Sequence, residues 1–136
     1  MSSKGIPGAS IRAFRDFYSN AMVYGADIDK NILFNEKRIK TFYVDQTNLV
    51  DLKKIFKKTK GNYDLIIDDG LHASYANISA IIASLKFLKK KDYLIIEDIL
   101  HNCKPIWEVV SNILNKKYDT RLVNTKRSYV FIIKKI

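Results

Sequence analysis

The chain has 136 residues, the length of one ordinary domain, and we expect a single domain over residues 1–136. Apolar residues make up 47% and charged residues 28%, which excludes wholesale disorder. The formal charge of +10 would suit a protein that binds nucleic acid. The lysines lie mostly in pairs and no Arg-rich arm is present, so a solvated surface is favoured and nucleic acid is not expected. The one cysteine, Cys103, excludes an intrachain disulfide and a cysteine-based zinc cage.

Helices and strands alternate along the chain. In the first half we predict a helix at about 11–18 capped by Ser10, a strand at Met22–Ile28, a short helix at 31–37, a strand at Thr41–Val44 and a helix capped by Asn48. In the second half we predict a strand at Tyr63–Asp68, a helix at 74–88, a lysine turn, a strand at Tyr93–Ile96, a helix beginning near Pro105, and strands at Thr120–Val123 and Ser128–Ile133. The helix near Pro105 should bury an apolar face of Ile106, Val109, Val110, Ile113 and Leu114.

This alternation predicts an α/β fold: a doubly wound, mostly parallel sheet with helices on both faces, closed by an antiparallel hairpin. In such sheets, ligands bind at the carboxyl ends of the strands. No stretch approaches the roughly 18 apolar residues of a membrane span, and no signal-peptide pattern opens the chain. We therefore expect a cytoplasmic protein with no membrane partner, for which a homo-oligomer is possible.

Carboxylates follow four of the predicted strands: Asp27 and Asp29, Asp45, Asp68 and Asp69, and Glu97 and Asp98. If the strands ending at Asp69 and Glu97 are neighbours, they lie about 4.8 Å apart, and their carboxylates can converge on one cation. Oxygen ligands favour magnesium, manganese or calcium over zinc. Neighbouring strand residues point to opposite faces, so one of Asp68 and Asp69 should face the metal and the other be structural. Each acid alone could instead cap a helix or turn, an alternative that stays open for Asp29 and Asp68.

His72 follows the strand end in the sequence Asp69-Gly70-Leu71-His72, where we expect the glycine to let the chain turn sharply. An imidazole beside the metal has an ordinary pKa of about 6.5, which suits a general base. The alternatives are an exposed loop histidine or a helix cap. His101 is a weaker candidate for the same region.

Four segments, GASIRAFRDFYSNAMVYGADID, VDQTN, YDLIIDDGLH and IIEDI, together resemble one family over nearly the whole chain. It is the macrocin O-methyltransferase and cephalosporin-hydroxylase-like branch of class I S-adenosylmethionine-dependent methyltransferases. The most specific part is DDG-x-H followed by a Glu-Asp pair, Glu97 lying 28 residues after Asp69 (97 − 69).

The resemblance implies a role for each matched residue. Asp69, Glu97 and Asp98 would bind a divalent cation, most simply Mg²⁺, and His72 would be the base. For S-adenosylmethionine, Asp27 would bind the ribose, Asp45 and Gln46 would lie against the adenine, and Asp68 would also belong to the cofactor site. Gly5, Gly8, Ala9 and Ser10 match the loop that receives the methionine end of the cofactor. The implied acceptor is a small molecule, a sugar or similar polyhydroxylated compound.

The chain departs from the family at its start, because class I methyltransferases begin with a central strand and a Gly-rich turn. The resemblance therefore implies a gap between the strand at 22–28 and the strand at 63–68, left by truncation or filled by other means such as a partner chain. An enzyme is the first hypothesis. The alternatives are a catalytically inactive cofactor-binding or interaction module and, from the charge, a nucleic-acid-binding protein.

Overall fold

The structure is a computed structural model, and it describes residues 6–136. The chain divides into two compact units, Met1–Asp45 and Gln46–Ile136, each with its own sheet. The predicted α/β fold is confirmed, with both parallel and antiparallel strand pairs. The single-domain organisation remains a prediction. In the part of the chain that the structure describes, no helix is long and apolar enough to cross a membrane.

The first unit contains one helix and three short strands: α1 (Ala9–Phe17), β1 (Val23–Asp27), β2 (Asn35–Glu36) and β3 (Ile39–Tyr43). The strand order is β1-β3-β2, with β1 parallel and β2 antiparallel to β3. Because β1 and β3 are parallel neighbours, the residues that follow them lie at one edge of this sheet.

Two local predictions in the first unit were wrong. In place of a helix at 31–37 there is a single 3₁₀ turn, Lys30–Ile32, followed by β2. The Asp29 carboxylate caps that turn by accepting the Asn31 N–H at 2.9 Å, and the left-handed Arg38 (φ 63°) then leads the chain into β3. The cap of α1 is Gly8 (φ 78°), which makes no side-chain hydrogen bond, so the predicted cap Ser10 lies inside the first turn.

The second unit contains the other elements: α2 (Leu49–Lys58), β4 (Tyr63–Asp68), α3 (Ser74–Ser84), β5 (Leu88–Ile99), α4 (Lys104–Leu114), β6 (Tyr118–Asn124) and β7 (Tyr129–Lys135). Its strand order is β4-β5-β7-β6, with β4 parallel to β5 and the remaining pairs antiparallel. The predicted hairpin is therefore confirmed, as is the Asn48 cap, whose side chain accepts from the Val50 and Asp51 N–H groups. β1 and β4 each lie at the end of their own sheet.

The core of the second unit lies between β5, β7 and the helices. Its fully buried members include Trp107 and Phe131, whose ring centroids are 5.0 Å apart. Because Trp107 fills this space, α4 packs through Trp107, Val110 and Leu114. Ile106, Val109 and Ile113 are exposed, so the predicted buried face of α4 was wrong for these three residues.

β5 is much longer than predicted and begins before the lysines that we expected in a turn. The Lys89 ammonium lies 2.7 Å from the Asp64 carboxylate, and this ion pair joins β5 to β4. The preceding helix is correspondingly shorter, because α3 ends at Ser84 and a 3₁₀ turn, Leu85–Phe87, follows it. At the other end of β5 the pairing with β7 is irregular, since Ile96 faces Phe131 and Ile99 faces Tyr129. This bulge places Glu97 and Asp98 at the edge of the sheet.

Candidate metal centre

The ends of β4 and β5 bring acidic side chains together. The two strands are parallel neighbours in which Asp68 pairs with Ile96, so Asp69 and Glu97 follow at the same edge of the sheet. The structure gathers Asp69, His72 and Asp98, each offering one ligand atom, within 4.8 Å of one another. The Nε2 atom of His72 lies 3.8 Å from Oδ1 of Asp69. The convergence predicted from strand geometry is therefore present.

Glu97, the third predicted metal ligand, lies outside that group of three but interacts with it electrostatically. Burial raises the pKa of the Glu97 carboxyl, and the negative charges of Asp69 and Asp98 raise it further. The charge of His72 acts in the opposite direction. A raised carboxyl pKa next to other acids indicates an excess of negative charge, which a bound cation would offset.

The backbone is in the left-handed region at two residues of the cluster, His72 (φ 56°) and Asp98 (φ 51°). Non-glycine residues pay roughly 1 kcal/mol or more for this conformation, and such strain concentrates at functional sites. The chain bends at Gly70, as expected, although the φ of this glycine is not positive. A Cβ on Gly70 would lie 2.2 Å from Oε1 of Gln46, so the glycine permits this close approach.

Asp68, the other acid of the pair, makes hydrogen bonds within the protein. It is 9% exposed, and its Oδ1 accepts hydrogen bonds from Nε2 of Gln46 at 2.7 Å and from the Gly70 N–H at 3.3 Å. Its Oδ2 accepts from Nδ2 of the buried Asn77 at 3.0 Å. Gln46 in turn accepts the Leu71 N–H at 2.8 Å through Oε1. We call Gln46, Asp68 and Asn77 the latch, because they hold the loop that carries Asp69 and His72.

The first unit contains the remaining predicted cofactor residues. Asp27 ends β1, and its Oδ1 accepts the N–H of Asp29 at 2.8 Å. Asp45 follows the parallel β3, so both acids lie at one edge of this sheet. Gly8 and Ser10 lie at the start of α1, whereas Gly5 falls outside the described residues. The cofactor contacts of these residues, and of Gln46 and Asp68, remain predictions.

Other polar side chains near the cluster were not anticipated. Ser128 donates a hydrogen bond to Oδ1 of Asp98 at 3.1 Å, and Asn77 supports Asp68. Their distances along the chain, 30 residues for Ser128 and nine for Asn77, leave no local pattern that would reveal them. His101 lies beside Asn124 and the Tyr129 ring, and it does not join the group of Asp69, His72 and Asp98.

The donor set fits a hard divalent cation. Carboxylate oxygens with one imidazole suit magnesium or manganese, and several acids in one place need a positive charge between them. Within the described part of the chain, Nδ1 of His72 is buried without a hydrogen-bond partner, a polar atom that a ligand or water would satisfy.

Known proteins support the same interpretation of the fold and sequence, although no protein-family model matches the chain. The chain is 29% identical over 92 residues to mycinamicin VI 2''-O-methyltransferase from Micromonospora griseorubida, covering 68% of this chain and 23% of that protein. It is 27% identical over 101 residues to 8-demethyl-8-alpha-L-rhamnosyl tetracenomycin-C 2'-O-methyltransferase from Streptomyces olivaceus, covering 74% and 26%. The chain thus spans about a quarter of the length of these curated relatives.

Among solved structures, MycE methyltransferase from the mycinamycin biosynthetic pathway, in complex with Mg and SAH, superposes with a TM-score of 0.76. The sequence identity is 22%, and the match covers 98% of this chain and 42% of that chain. The chain therefore has a methyltransferase fold, and its sequence is similar to the macrocin and mycinamicin O-methyltransferases, as its motifs predicted.

Proposed function

We propose that the chain is part of an S-adenosylmethionine-dependent, divalent-metal-assisted O-methyltransferase that acts on a hydroxyl of a sugar or other polyhydroxylated small molecule. The observation that carries the proposal is the convergence of Asp69, His72 and Asp98 within 4.8 Å at neighbouring strand ends. The names of the relatives support the acceptor class, since two specify transfer to a 2' or 2'' oxygen and one of these specifies a rhamnosyl compound.

The proposed ligands divide between the two cofactors. Asp69 and Asp98, with Glu97, would hold Mg²⁺, and the presence of Mg in the solved MycE complex supports that choice of metal. Asp27, Asp45, Gln46 and Asp68 would bind the nucleoside part of S-adenosylmethionine, and Gly5, Gly8 and Ser10 its methionine end. Bound together, the cofactor would supply the methyl group and the cation the charge that lowers the pKa of the acceptor hydroxyl.

The protein's own groups then have positioning and proton-transfer roles. His72 accepts the hydroxyl proton at a ring nitrogen, and the Asp69 carboxylate, 3.8 Å away, stabilises the imidazolium that forms. The left-handed backbone of His72 directs the ring toward Asp69 and Asp98. Glu97 and Asp98 follow from the β5 bulge, so the carboxylates are held by the sheet itself.

The metal assignment is tested by calorimetric titration of Mg²⁺ into the chain and into Asp69→Asn. Asp64→Asn is the matched control, because Asp64 lies on β4, the strand that Asp69 follows, but pairs with Lys89 away from the cluster. We expect Asp69→Asn to weaken binding at least ~10-fold and the control to leave it unchanged. Equal Mg²⁺ affinity in all three proteins, or no binding by the unaltered chain, would overturn the metal site.

The cofactor and the reaction need separate measurements. S-adenosylhomocysteine is titrated with and without Mg²⁺, and methyl transfer from S-adenosylmethionine is then assayed on a panel of glycosides with and without chelator. Binding without turnover would favour the inactive module, whereas no binding would refute the methyltransferase assignment. Turnover that persists with chelator would refute the role of the metal. If His72 is the base, His72→Ala removes the acidic limb of the pH–rate profile.

A further inference from the structure

Ser128 lies where it can control one of the proposed metal ligands. It is the last residue of the loop between β6 and β7, 7% exposed, and its Oγ is 3.1 Å from Oδ1 of Asp98. An ionised carboxylate can only accept, so the serine must donate its single hydroxyl proton in this bond. One oxygen of Asp98 is therefore held by a buried group.

The backbone of Ser128 is fixed by the loop. Oγ1 of Thr125 accepts the Ser128 N–H at 3.1 Å and donates to the Ser128 carbonyl at 2.8 Å. A backbone hydrogen bond from the Thr125 N–H to the Ser128 carbonyl, 2.9 Å long, closes the same turn. Because the turn fixes the backbone of Ser128, it holds the serine Oγ close to Oδ1 of Asp98 at 3.1 Å and to Oγ1 of Thr125 at 3.3 Å. The Asp98 carboxylate is the nearer and the charged acceptor, so it is favoured for the serine proton.

Asp98 is a residue that needs such support. Its side chain is exposed, and its backbone is left-handed (φ 51°) in the bulge where β5 loses regular pairing with β7. An exposed carboxylate samples several rotamers, and ordering it costs conformational entropy when a cation binds. Ligating carboxylates are commonly hydrogen-bonded by a neighbouring group, which supplies that order before the metal arrives.

We propose that Ser128 is a positioning residue of the metal centre, which holds the Asp98 carboxylate in the orientation that binds the cation. The inference rests on the proposed metal site, and it adds a residue that comes from the β6–β7 loop. Through Ser128, the conformation of that loop determines how well the cluster is organised for metal.

The test is Mn²⁺ binding to the chain, followed by the electron paramagnetic resonance signal of free Mn²⁺, with Mn²⁺ alone as the probe. Ser128→Ala removes the hydroxyl, while Ser128→Thr and Ser128→Val have the same shape and differ only in the hydroxyl. Ser84→Ala is the matched control, because Ser84 is also buried in the same unit and its hydroxyl donates to the Ile81 carbonyl of its own helix, away from the cluster. Thermal unfolding without metal is measured for every variant.

We expect Ser128→Ala and Ser128→Val to bind Mn²⁺ roughly 10-fold more weakly, with Ser128→Thr and Ser84→Ala close to the unaltered chain. If Ser128→Ala does not fold, the Thr and Val pair decides the question. Equal affinity of the Thr and Val variants would overturn the positioning role while leaving the metal site intact. Unfolding of all three Ser128 variants would make Ser128 a fold-stabilising residue and would overturn the role as well. Failure of the unaltered chain to bind Mn²⁺ would overturn the metal site itself.

Discussion

His72 shows how backbone strain and the proposed chemistry meet in one residue. Its φ of 56° is unfavourable for any side chain with a Cβ, and its buried Nδ1 has no partner among the described residues. Glycine adopts this conformation without penalty, so His72→Gly should raise the free energy of unfolding by about 1 kcal/mol while weakening Mg²⁺ binding. Urea denaturation and calorimetry measure the two effects.

Lys91 provides the control for that prediction, because it is also left-handed (φ 72°) and is exposed on β5 away from the cluster. Lys91→Gly should give a similar gain in stability with no change in Mg²⁺ affinity. A His72→Gly protein that is less stable than the unaltered chain, while Lys91→Gly is more stable, would show that the histidine contributes to the fold rather than costing strain.

The raised pKa of Glu97 predicts that the stability of the fold depends on pH in the absence of metal. The Glu97 pKa is raised, by burial first and then by Asp69 and Asp98, so the folded state favours the protonated form. The stability that Glu97 contributes is therefore fully present below its ordinary pKa of about 4.3 and is lost as pH rises through the raised value. In chelator, the melting temperature of the unaltered chain should fall across this window relative to Glu97→Gln. Mg²⁺ should reduce the difference, because the cation offsets the neighbouring charges.

The control for this prediction is Glu108→Gln. Glu108 is an exposed glutamate on α4 whose carboxylate lies 3.2 Å from the Lys104 ammonium. Its replacement should leave the fall in melting temperature unchanged. A Glu97→Gln protein with the same pH profile as the unaltered chain would contradict the cause assigned to the shift.

At the residue scale, the sequence was enough to predict the acidic and histidine side chains at the strand ends. It was not enough to predict the side chains that hydrogen-bond to them. Asp69, His72 and Asp98 could be predicted to meet because parallel neighbouring strands end at one edge of a sheet. Ser128 could not, since its contact with Asp98 depends on the pairing of β5 with β7 and on the β6–β7 turn. The left-handed backbone of His72 and Asp98 was also invisible, because neither residue type requires it.

The latch connects α3, β4 and the segment before α2, and its hydrogen bonds are expected to stabilise the second unit. Asn77 of α3 donates to Oδ2 of the buried Asp68 at 3.0 Å, and Gln46, before α2, donates to Oδ1. Asn77→Ala leaves that oxygen without this donor and should lower the free energy of unfolding by about 1–3 kcal/mol. The midpoint of urea denaturation measures it, and Asn112→Ala, on the exposed side of α4, should leave the midpoint nearly unchanged.

Because the latch also holds the loop after β4, Asn77→Ala should bind Mg²⁺ more weakly in addition to its lower stability. Unchanged stability would mean that Asp68 does not depend on Asn77. Lower stability with unchanged Mg²⁺ affinity would limit the latch to a role in the fold and separate it from the metal centre.

At the element scale, helices and strands with a clear cap or apolar spacing were predicted well. The predictions failed where strand pairing or helix packing decides the structure. The Asn48 cap and the apolar spacing were enough to locate α2. The strand β2 has only two residues and exists because it pairs with β3, so no periodicity in 31–37 could have distinguished it from a short helix. The apolar residues of α4 could be recognised in the sequence, but the packing of Trp107 against Phe131 decides which face of the helix is buried.

At the scale of the whole molecule, the buried apolar residues are unequally divided between the two units. The core cluster of Ile81, Leu88, Leu94, Ile96, Ile99, Trp107, Phe131 and Ile133 lies entirely in the second unit. Among residues 6–45, the buried apolar side chains are Ile39 and Val44. Burial of apolar surface is the main source of stability, so local unfolding should cost less in the first unit than around β5 and β7.

Native-state hydrogen exchange measures this difference directly. Amides of β5 and β7 should exchange only through global unfolding, and those of β1 and β3 should exchange at least ~10-fold faster after correction for intrinsic rates, a difference of about 1.4 kcal/mol. Asp69 and His72 follow β4, and Glu97 and Asp98 lie in the bulge of β5, so the proposed cation site would then be supported by the most stable part of the chain. Asp27 and Asp45 would lie on its more easily opened part. Equal protection in β1 and β5 would show instead that the two units unfold as one.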